Sequence, residues 1–132
     1  MGKYGEVANI ATKMLVSNQS NDPIQAWELA AKQVFPNSTS LQNKSCPKSS
    51  FLGLCEDGYI PNVEQGKYTR SKKNKDYAVK AMSLLNSNSN MTEAELWKTV
   101  IDEPDKSYNH QMDVVKTLWD NNLLIKNNSS TE

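Results

Sequence analysis

Apolar residues recur at helical spacing along most of this chain. Within residues 4–17 they occupy positions i, i+3, i+4, i+7 and i+8, the stripe that a helix buries on one side: Val7, Ile10, Ala11, Met14 and Leu15. The same period predicts five further helices, at about 23–35, 47–57, 74–86, 92–103 and 109–121. The pattern therefore predicts a mainly α protein, with a polar loop at 36–45 and a disordered polar tail at 127–132.

Residues that start or stop helices stand at the ends of these stretches. Asp22 precedes Pro23, and Gln25 takes the third helical position, which predicts a helix start with a capping box. Thr92 and Glu95 have the usual capping-box spacing. Gly58 follows the third helix, where a left-handed residue is expected to end it.

The segment after the third helix has the composition of a short β-hairpin. Residues 59–63 and 67–69 would be its strands, and residues 64–66 would be the turn. Because Pro61 cannot donate a backbone hydrogen bond, its strand would lie at an edge. We therefore expect at most a short β-hairpin in an otherwise helical fold.

The second half of the sequence repeats landmarks of the first half. A shift of about 70 residues aligns Ala11 with Ala81 and Trp27 with Trp97, and a shift of about 64 aligns Gly58 with Asn122. Glycine and asparagine adopt the left-handed conformation most readily, so that exchange is conservative. The repeat predicts two tandem three-helix units, 1–70 and 71–126, packed against each other through their aromatic faces. The alternative is a coincidence between two amphipathic strings.

A unit of three helices followed by a hairpin resembles a winged-helix or helix-turn-helix unit. The resemblance rests on the ends of the third helices, Leu54-Cys55-Glu56-Asp57-Gly58-Tyr59-Ile60 and Leu118-Trp119-Asp120-Asn121-Asn122-Leu123-Leu124. It implies that the third helix enters the major groove of DNA while the hairpin contacts the backbone.

Several short motifs are spread over residues 3–85. They are Lys3-Tyr4-Gly5, Ala26-Trp27, Cys46-Pro47-Lys48-Ser49-Ser50-Phe51-Leu52-Gly53-Leu54-Cys55, Tyr68-Thr69-Arg70-Ser71-Lys72 and Asn74-Lys75-Asp76-Tyr77-Ala78. Together they resemble a family of small uncharacterised bacterial proteins, a domain of unknown function. The resemblance implies no reaction, cofactor or partner, so it transfers no functional residues.

Charge is balanced over the chain but unevenly placed. The 15 basic and 15 acidic residues cancel, yet 41–80 carries a basic surplus and 91–120 an acidic one. Basic and hydroxyl side chains suit phosphate contacts. The predicted nucleic-acid-binding residues are Lys44, Ser45, Lys48, Ser49, Lys67, Tyr68, Arg70, Lys72, Lys73 and Lys75. The alternative for the basic run is a solvated linker.

Little else in the sequence predicts chemistry. Cys46 and Cys55 would point to opposite sides of one helix, and His110 is the only histidine, so we expect no metal site and no cofactor. His110 and Asp113 have the spacing of a helical hydrogen bond. Trp27, Trp97 and Trp119 lie on apolar stripes and are expected in the core.

These observations favour a cytoplasmic accessory or regulatory protein that binds nucleic acid, with DNA as the partner. No phosphate loop or catalytic triad pattern is present, so we expect no enzyme. We also expect no signal peptide and no membrane segment, since no apolar run is long enough to span a bilayer. The alternative function is a protein-interaction module, either for another protein or for a homodimer through its opposed charged patches.

Overall fold

The structure is a computed structural model that describes residues 2–101 and 106–126. These ranges contain seven helices and no β-strand, which confirms the predicted mainly helical class. The helices are α1 (Lys3–Val16), α2 (Pro23–Val34), α3 (Thr39–Gln42), α4 (Ser45–Glu56), α5 (Lys72–Ser87), α6 (Glu93–Val100) and α7 (Gln111–Asp120). None of the helices in the described ranges has the length and apolar character needed to cross a membrane.

The predicted helix starts are largely confirmed. The Asp22 carboxylate accepts a hydrogen bond from the Ile24 N–H at 3.0 Å, and Pro23 takes the first helical position. Gln25 does not complete a capping box there, because its Oε1 accepts from the Ser20 hydroxyl instead. At α6, Thr92 and Glu95 form both bonds of the predicted box.

Two helix boundaries differ from the sequence pattern. The single turn α3 lies within the predicted polar loop, because Ser38 caps it by accepting from the Leu41 N–H. Helix α6 ends at Val100, whereas the pattern extended it to about 103. Residues 102–105 and the predicted tail at 127–132 lie outside the described residues.

The helices enclose one hydrophobic core. Helix α1 packs on α2 and α7, while α4 packs on α5 and α7. Two glycines within helices allow neighbouring helices to approach closely. A Cβ atom at Gly53 would lie 2.7 Å from Cα of Lys75, and a Cβ atom at Gly5 would lie 2.2 Å from Oγ1 of Thr117. The Gly53 contact places the beginning of α5 directly against α4, and the Gly5 contact places α1 against α7.

The predicted β-hairpin is wrong: residues 59–70 contain bends and turns, with no strand among them. The backbone groups that would pair are used elsewhere. The Tyr59 carbonyl accepts from the Ile125 N–H at 2.8 Å, and the N–H groups of Tyr68 and Thr69 donate to the Glu56 carboxylate. Asn62 adopts a left-handed φ of 65°, which also interrupts an extended strand.

Positions matched by the proposed repeat share some surroundings and differ in others. Gly58 and Asn122 both have positive φ, 81° and 58°, and each helix end closes with the same pair of backbone hydrogen bonds. The tryptophans differ. Trp27 is fully buried against Phe51, whereas Trp97 is only partly buried and contacts Tyr77. The division into units 1–70 and 71–126 stays a prediction.

Candidate functional site

Glu56 organises the segment that joins α4 to α5. Its side chain is only 3% exposed, although it is a carboxylate at the end of a helix. Its Oε2 accepts hydrogen bonds from the backbone N–H groups of Tyr68 at 2.7 Å and Thr69 at 2.8 Å. Its Oε1 accepts from Nζ of Lys75 at 3.0 Å. These bonds fold the 67–70 segment over the end of α4.

The charges around Glu56 favour its ionised form. Burial by itself raises the pKa of Glu56, but hydrogen bonds from Thr69, Lys75 and Tyr68 outweigh it and hold that pKa below its usual range. Lys75 also contacts Oδ1 of Asp57 at 2.9 Å, and its hydrogen bonds to Asp57 and Glu56 raise the pKa of Lys75. The Lys75 charge is therefore neutralised locally.

Beside this anchor lies a recess of about 420 Å³, which we call the basic recess. It is lined by Glu56, Lys67, Thr69, Arg70, Lys72, Lys75 and Asp76. The side chains of Lys67, Arg70 and Lys72 are exposed, and none of them forms an ion pair with any residue in the described ranges. Three uncompensated cations thus surround one concave site.

The first turn of α5 adds to the positive potential of this site. Ser71 caps the helix by accepting from the Asn74 N–H at 3.3 Å, and the first turn contains no acidic residue. The positive end of the helix dipole therefore points toward the same side as Arg70 and Lys72. An anion in the basic recess would be stabilised by both sources of charge.

The structure brings together only some of the predicted nucleic-acid-binding residues. Lys67, Arg70, Lys72 and Lys75 line the basic recess. Tyr68 lies beside it, with its hydroxyl donating to the Glu64 carbonyl at 2.6 Å. Lys73 is exposed at the start of α5 but is not part of the lining.

The remaining predicted residues lie at the other end of α4. Lys44 occupies the N-cap position of this helix, and Ser45, Lys48 and Ser49 lie in its first turns. These residues are about 10–18 Å along the axis from Glu56. Nζ of Lys48 forms an ion pair with Glu28 of α2 at 3.2 Å. This group is therefore separate from the basic recess.

Apart from Pro47, the first turns of helix α4 are accessible, whereas its second half is not. Every residue from Ser50 to Glu56 is buried, because this part of α4 packs against α5 and α7. A helix that enters the major groove presents an exposed face to the bases. The insertion of α4 into DNA stays a prediction that its first turns alone could fulfil. The wing is wrong, because residues 59–70 form no hairpin.

A second concave surface lies along α6, and we call it the α6 groove. Its volume is about 720 Å³, and its lining combines apolar and charged side chains: Thr92, Glu93, Ala94, Trp97, Lys98, Ile101, Lys106 and Tyr108. The Trp97 and Tyr108 rings contact each other, with centroids 5.2 Å apart. Trp97 was expected in the core, but it is partly exposed and belongs to this surface.

His110 and Asp113 form the predicted hydrogen bond at the start of α7. Nδ1 of His110 lies 2.9 Å from Oδ2 of Asp113, and Oδ1 of Asp113 accepts from the Tyr108 hydroxyl at 2.6 Å. Burial and this hydrogen bond raise the pKa of Tyr108. The Tyr4 and Tyr108 rings flank His110. This arrangement is typical of a pair that fixes a helix start.

The two cysteines behave as the sequence indicated. Both are free thiols on α4, and Cys55 is fully buried in the core. Burial raises the pKa of the Cys55 thiol. Among the described residues, no group of three histidine, cysteine or acidic side chains is placed to hold a metal ion.

Sequence reasoning missed the residues that shape the basic recess. Glu56 is not among the predicted binding residues, although it follows Leu52 by four positions and thus falls on the buried side of α4. A carboxylate on an apolar stripe indicates a buried hydrogen-bonded group, since an unpaired buried charge is costly. That signal was available, whereas the positions of Thr69 and Asp76 depend on how the loop folds.

Comparison with known proteins identifies a family. Residues 1–125 match the family described as a family of unknown function, DUF6979, and the chain belongs to it. No curated protein and no solved structure is similar enough to count as a match.

Proposed function

We propose that this member of the family binds nucleic acid through backbone phosphates at the basic recess. The single observation that carries the proposal is the convergence of Lys67, Arg70 and Lys72, three exposed cations without ion-pair partners among the described residues, around one concave site. Most contacts between proteins and nucleic-acid backbones come from such side chains and from helix N-termini.

The proposed mode is contact with phosphates and not sequence recognition in a groove. Helix α4 is buried over its second half, so that half has no side-chain donors available to hydrogen-bond bases. Arg70 is the only arginine, and bidentate guanine recognition favours arginine. The proposal is therefore an accessory or regulatory binding role with weak sequence preference and no catalysis.

We also propose a cytoplasmic location. This proposal is supported by the two cysteines, which are both free thiols. They lie on one helix at positions that cannot form a disulfide bond with each other. A reducing compartment keeps such thiols free.

The test measures binding of single-stranded and duplex DNA by fluorescence anisotropy at about 50 mM and 200 mM salt. Three phosphate contacts predict a log–log salt slope of about −2.1 for single strands and about −2.7 for duplex DNA, which corresponds to roughly 20- to 40-fold weaker binding over that range. A triple variant, Lys67→Ala, Arg70→Ala and Lys72→Ala, is expected to abolish binding. Lys75 is kept unchanged because its ion pairs support the fold.

The matched control changes as many charges on another surface. Lys13→Ala, Lys80→Ala and Lys98→Ala remove three exposed lysines that do not line the basic recess. This control is expected to retain binding within about threefold. Equal loss in both triple variants would show that net charge alone drives association, and absence of binding at low salt would contradict the proposal.

The second candidate function is a protein-interaction module, and the α6 groove favours it. Tyr108 is 38% exposed beside Trp97, and partly exposed aromatic side chains are enriched at protein interfaces. Self-association would appear as a concentration-dependent mass in analytical ultracentrifugation. A Trp97→Ala change that abolishes this dependence would support this function, whereas a monomeric mass at all concentrations would exclude a homodimer.

A further inference from the structure

The shape of the basic recess restricts which phosphate it can receive. The 67–70 segment and the first turns of α5 form its walls, and its volume of about 420 Å³ lies within the range of small-ligand sites. Phosphates inside a nucleic-acid strand are linked on both sides, so they contact open surfaces most easily. A recess instead suits a phosphate that projects from the end of a chain.

The charge of the lining also points to a terminal phosphate. Four cations and two carboxylates line the recess. Lys75 is paired with Glu56 and Asp57, so the cations available to a ligand are Lys67, Arg70 and Lys72. An internal phosphodiester carries one negative charge. A phosphomonoester carries about −1.5 to −2 charges at neutral pH and has three acceptor oxygens. The three available cations can therefore neutralise a monoester, which carries more negative charge than a diester.

The hydrogen-bond donors of the recess that Glu56 and Asp57 do not occupy also suit a terminal phosphate. Glu56 occupies the N–H groups of Tyr68 and Thr69, and it shares Lys75 with Asp57. The ligand would therefore bind the side chains of Lys67, Arg70 and Lys72. A guanidinium can hold two oxygens of one phosphate at once, which uses both free oxygens of a diester. The third free oxygen of a monoester remains as an acceptor for Lys67 or Lys72.

We infer that the basic recess binds the terminal phosphomonoester of a nucleic-acid strand. This inference rests on the proposed function, because it specifies which phosphate occupies the site. A free nucleotide presents the same chemical group, so the experiment distinguishes a strand end from a free nucleotide.

The experiment compares short single-stranded DNAs by fluorescence anisotropy at low salt. One strand carries a 5′-phosphate, a second carries a 5′-hydroxyl, and a third is a slightly longer 5′-hydroxyl strand with the same total charge as the first. The 5′-phosphorylated strand is expected to bind about tenfold more tightly than both others. The Arg70→Ala variant is expected to reduce this preference to about twofold or less, and Lys13→Ala is expected to leave it unchanged.

Competition with thymidine monophosphate and inorganic phosphate distinguishes a phosphate at a strand end from a free nucleotide or free phosphate. A strand end as the true ligand predicts that both compete at least tenfold more weakly than the 5′-phosphorylated strand. Equal affinity for all three strands would overturn the inference while leaving the proposed function intact. Binding of thymidine monophosphate without binding of any strand would overturn both, and so would absence of all binding.

Discussion

Replacement of Glu56 by alanine tests how the basic recess is built. The Glu56 side chain is 3% exposed and accepts three hydrogen bonds, two of them from the backbone of the 67–70 segment. A buried donor that loses its partner costs about 1–3 kcal/mol, and Tyr68 and Thr69 are only half-buried, so about 1 kcal/mol each applies. Loss of the charged bond to Lys75 adds about 1 kcal/mol.

The expected destabilisation by Glu56→Ala is therefore about 2–4 kcal/mol. Urea unfolding followed by circular dichroism at 25 °C measures it as a lower midpoint with an unchanged slope. Glu28→Ala is the matched control, because Glu28 is 54% exposed and pairs with Lys48 at the surface. Surface pairs contribute about 0–1 kcal/mol, so Glu28→Ala is expected to change stability by less than about 1 kcal/mol.

The result that would refute this reasoning is a Glu56→Ala destabilisation within about 0.5 kcal/mol of that of Glu28→Ala. Glu56→Gln provides a finer test. Its amide oxygen can still accept from the two backbone N–H groups, so it is expected to cost about half as much as Glu56→Ala. A glutamine variant as unstable as the alanine variant would assign the effect to charge and not to the backbone hydrogen bonds.

Three other predictions use the same preparations. Gly5→Ala is expected to destabilise the folded protein by about 1–3 kcal/mol, because the added Cβ would overlap Thr117. Gly66→Ala serves as the neutral control in the same unfolding assay, because no atom lies closer than 3.5 Å to the added Cβ. A thiol reagent is expected to modify Cys46 in the folded protein and the buried Cys55 only in urea; rapid reaction of both native thiols would contradict the described core. Because folding lowers the pKa of Glu56, the ionised side chain stabilises the fold above about pH 4.3, and this stabilisation is lost as the pH falls through the folded pKa. The free energy of unfolding of Glu56→Gln should therefore fall less steeply with acid than that of the unchanged protein. Parallel curves of stability against pH would contradict this.

Much of the helical framework could be predicted from apolar spacing and caps. Thr92 and Glu95 predicted the start of α6 because a capping box is formed by residues three apart, whatever the rest of the fold. Gly58 predicted the end of α4 for the same reason. Local chemistry decides such positions, so the local sequence is sufficient.

The basic recess depended on contacts between distant positions. The 59–70 segment has the composition of a hairpin, but the N–H groups of Tyr68 and Thr69 bind Glu56, 12 to 13 residues earlier, and the Tyr59 carbonyl binds the Ile125 N–H. Helix α4 similarly carries a lysine and serines typical of a phosphate-binding helix, yet Lys48 is paired with Glu28 of α2. A pattern restricted to neighbouring residues does not contain these partners.

The proposed repeat illustrates the same limit. The shift of about 64 residues that aligns Gly58 with Asn122 also aligns Glu56 with Asp120, so both third helices end close to a carboxylate. Glu56 is buried and binds a returning segment, whereas the Asp120 side chain is 56% exposed and pairs with Lys116 one turn earlier. The two acids are equivalent in sequence but not in role. Since a carboxylate becomes buried only where donors surround it, the loop over Glu56 creates the recess, and the repeat alone could not have located it.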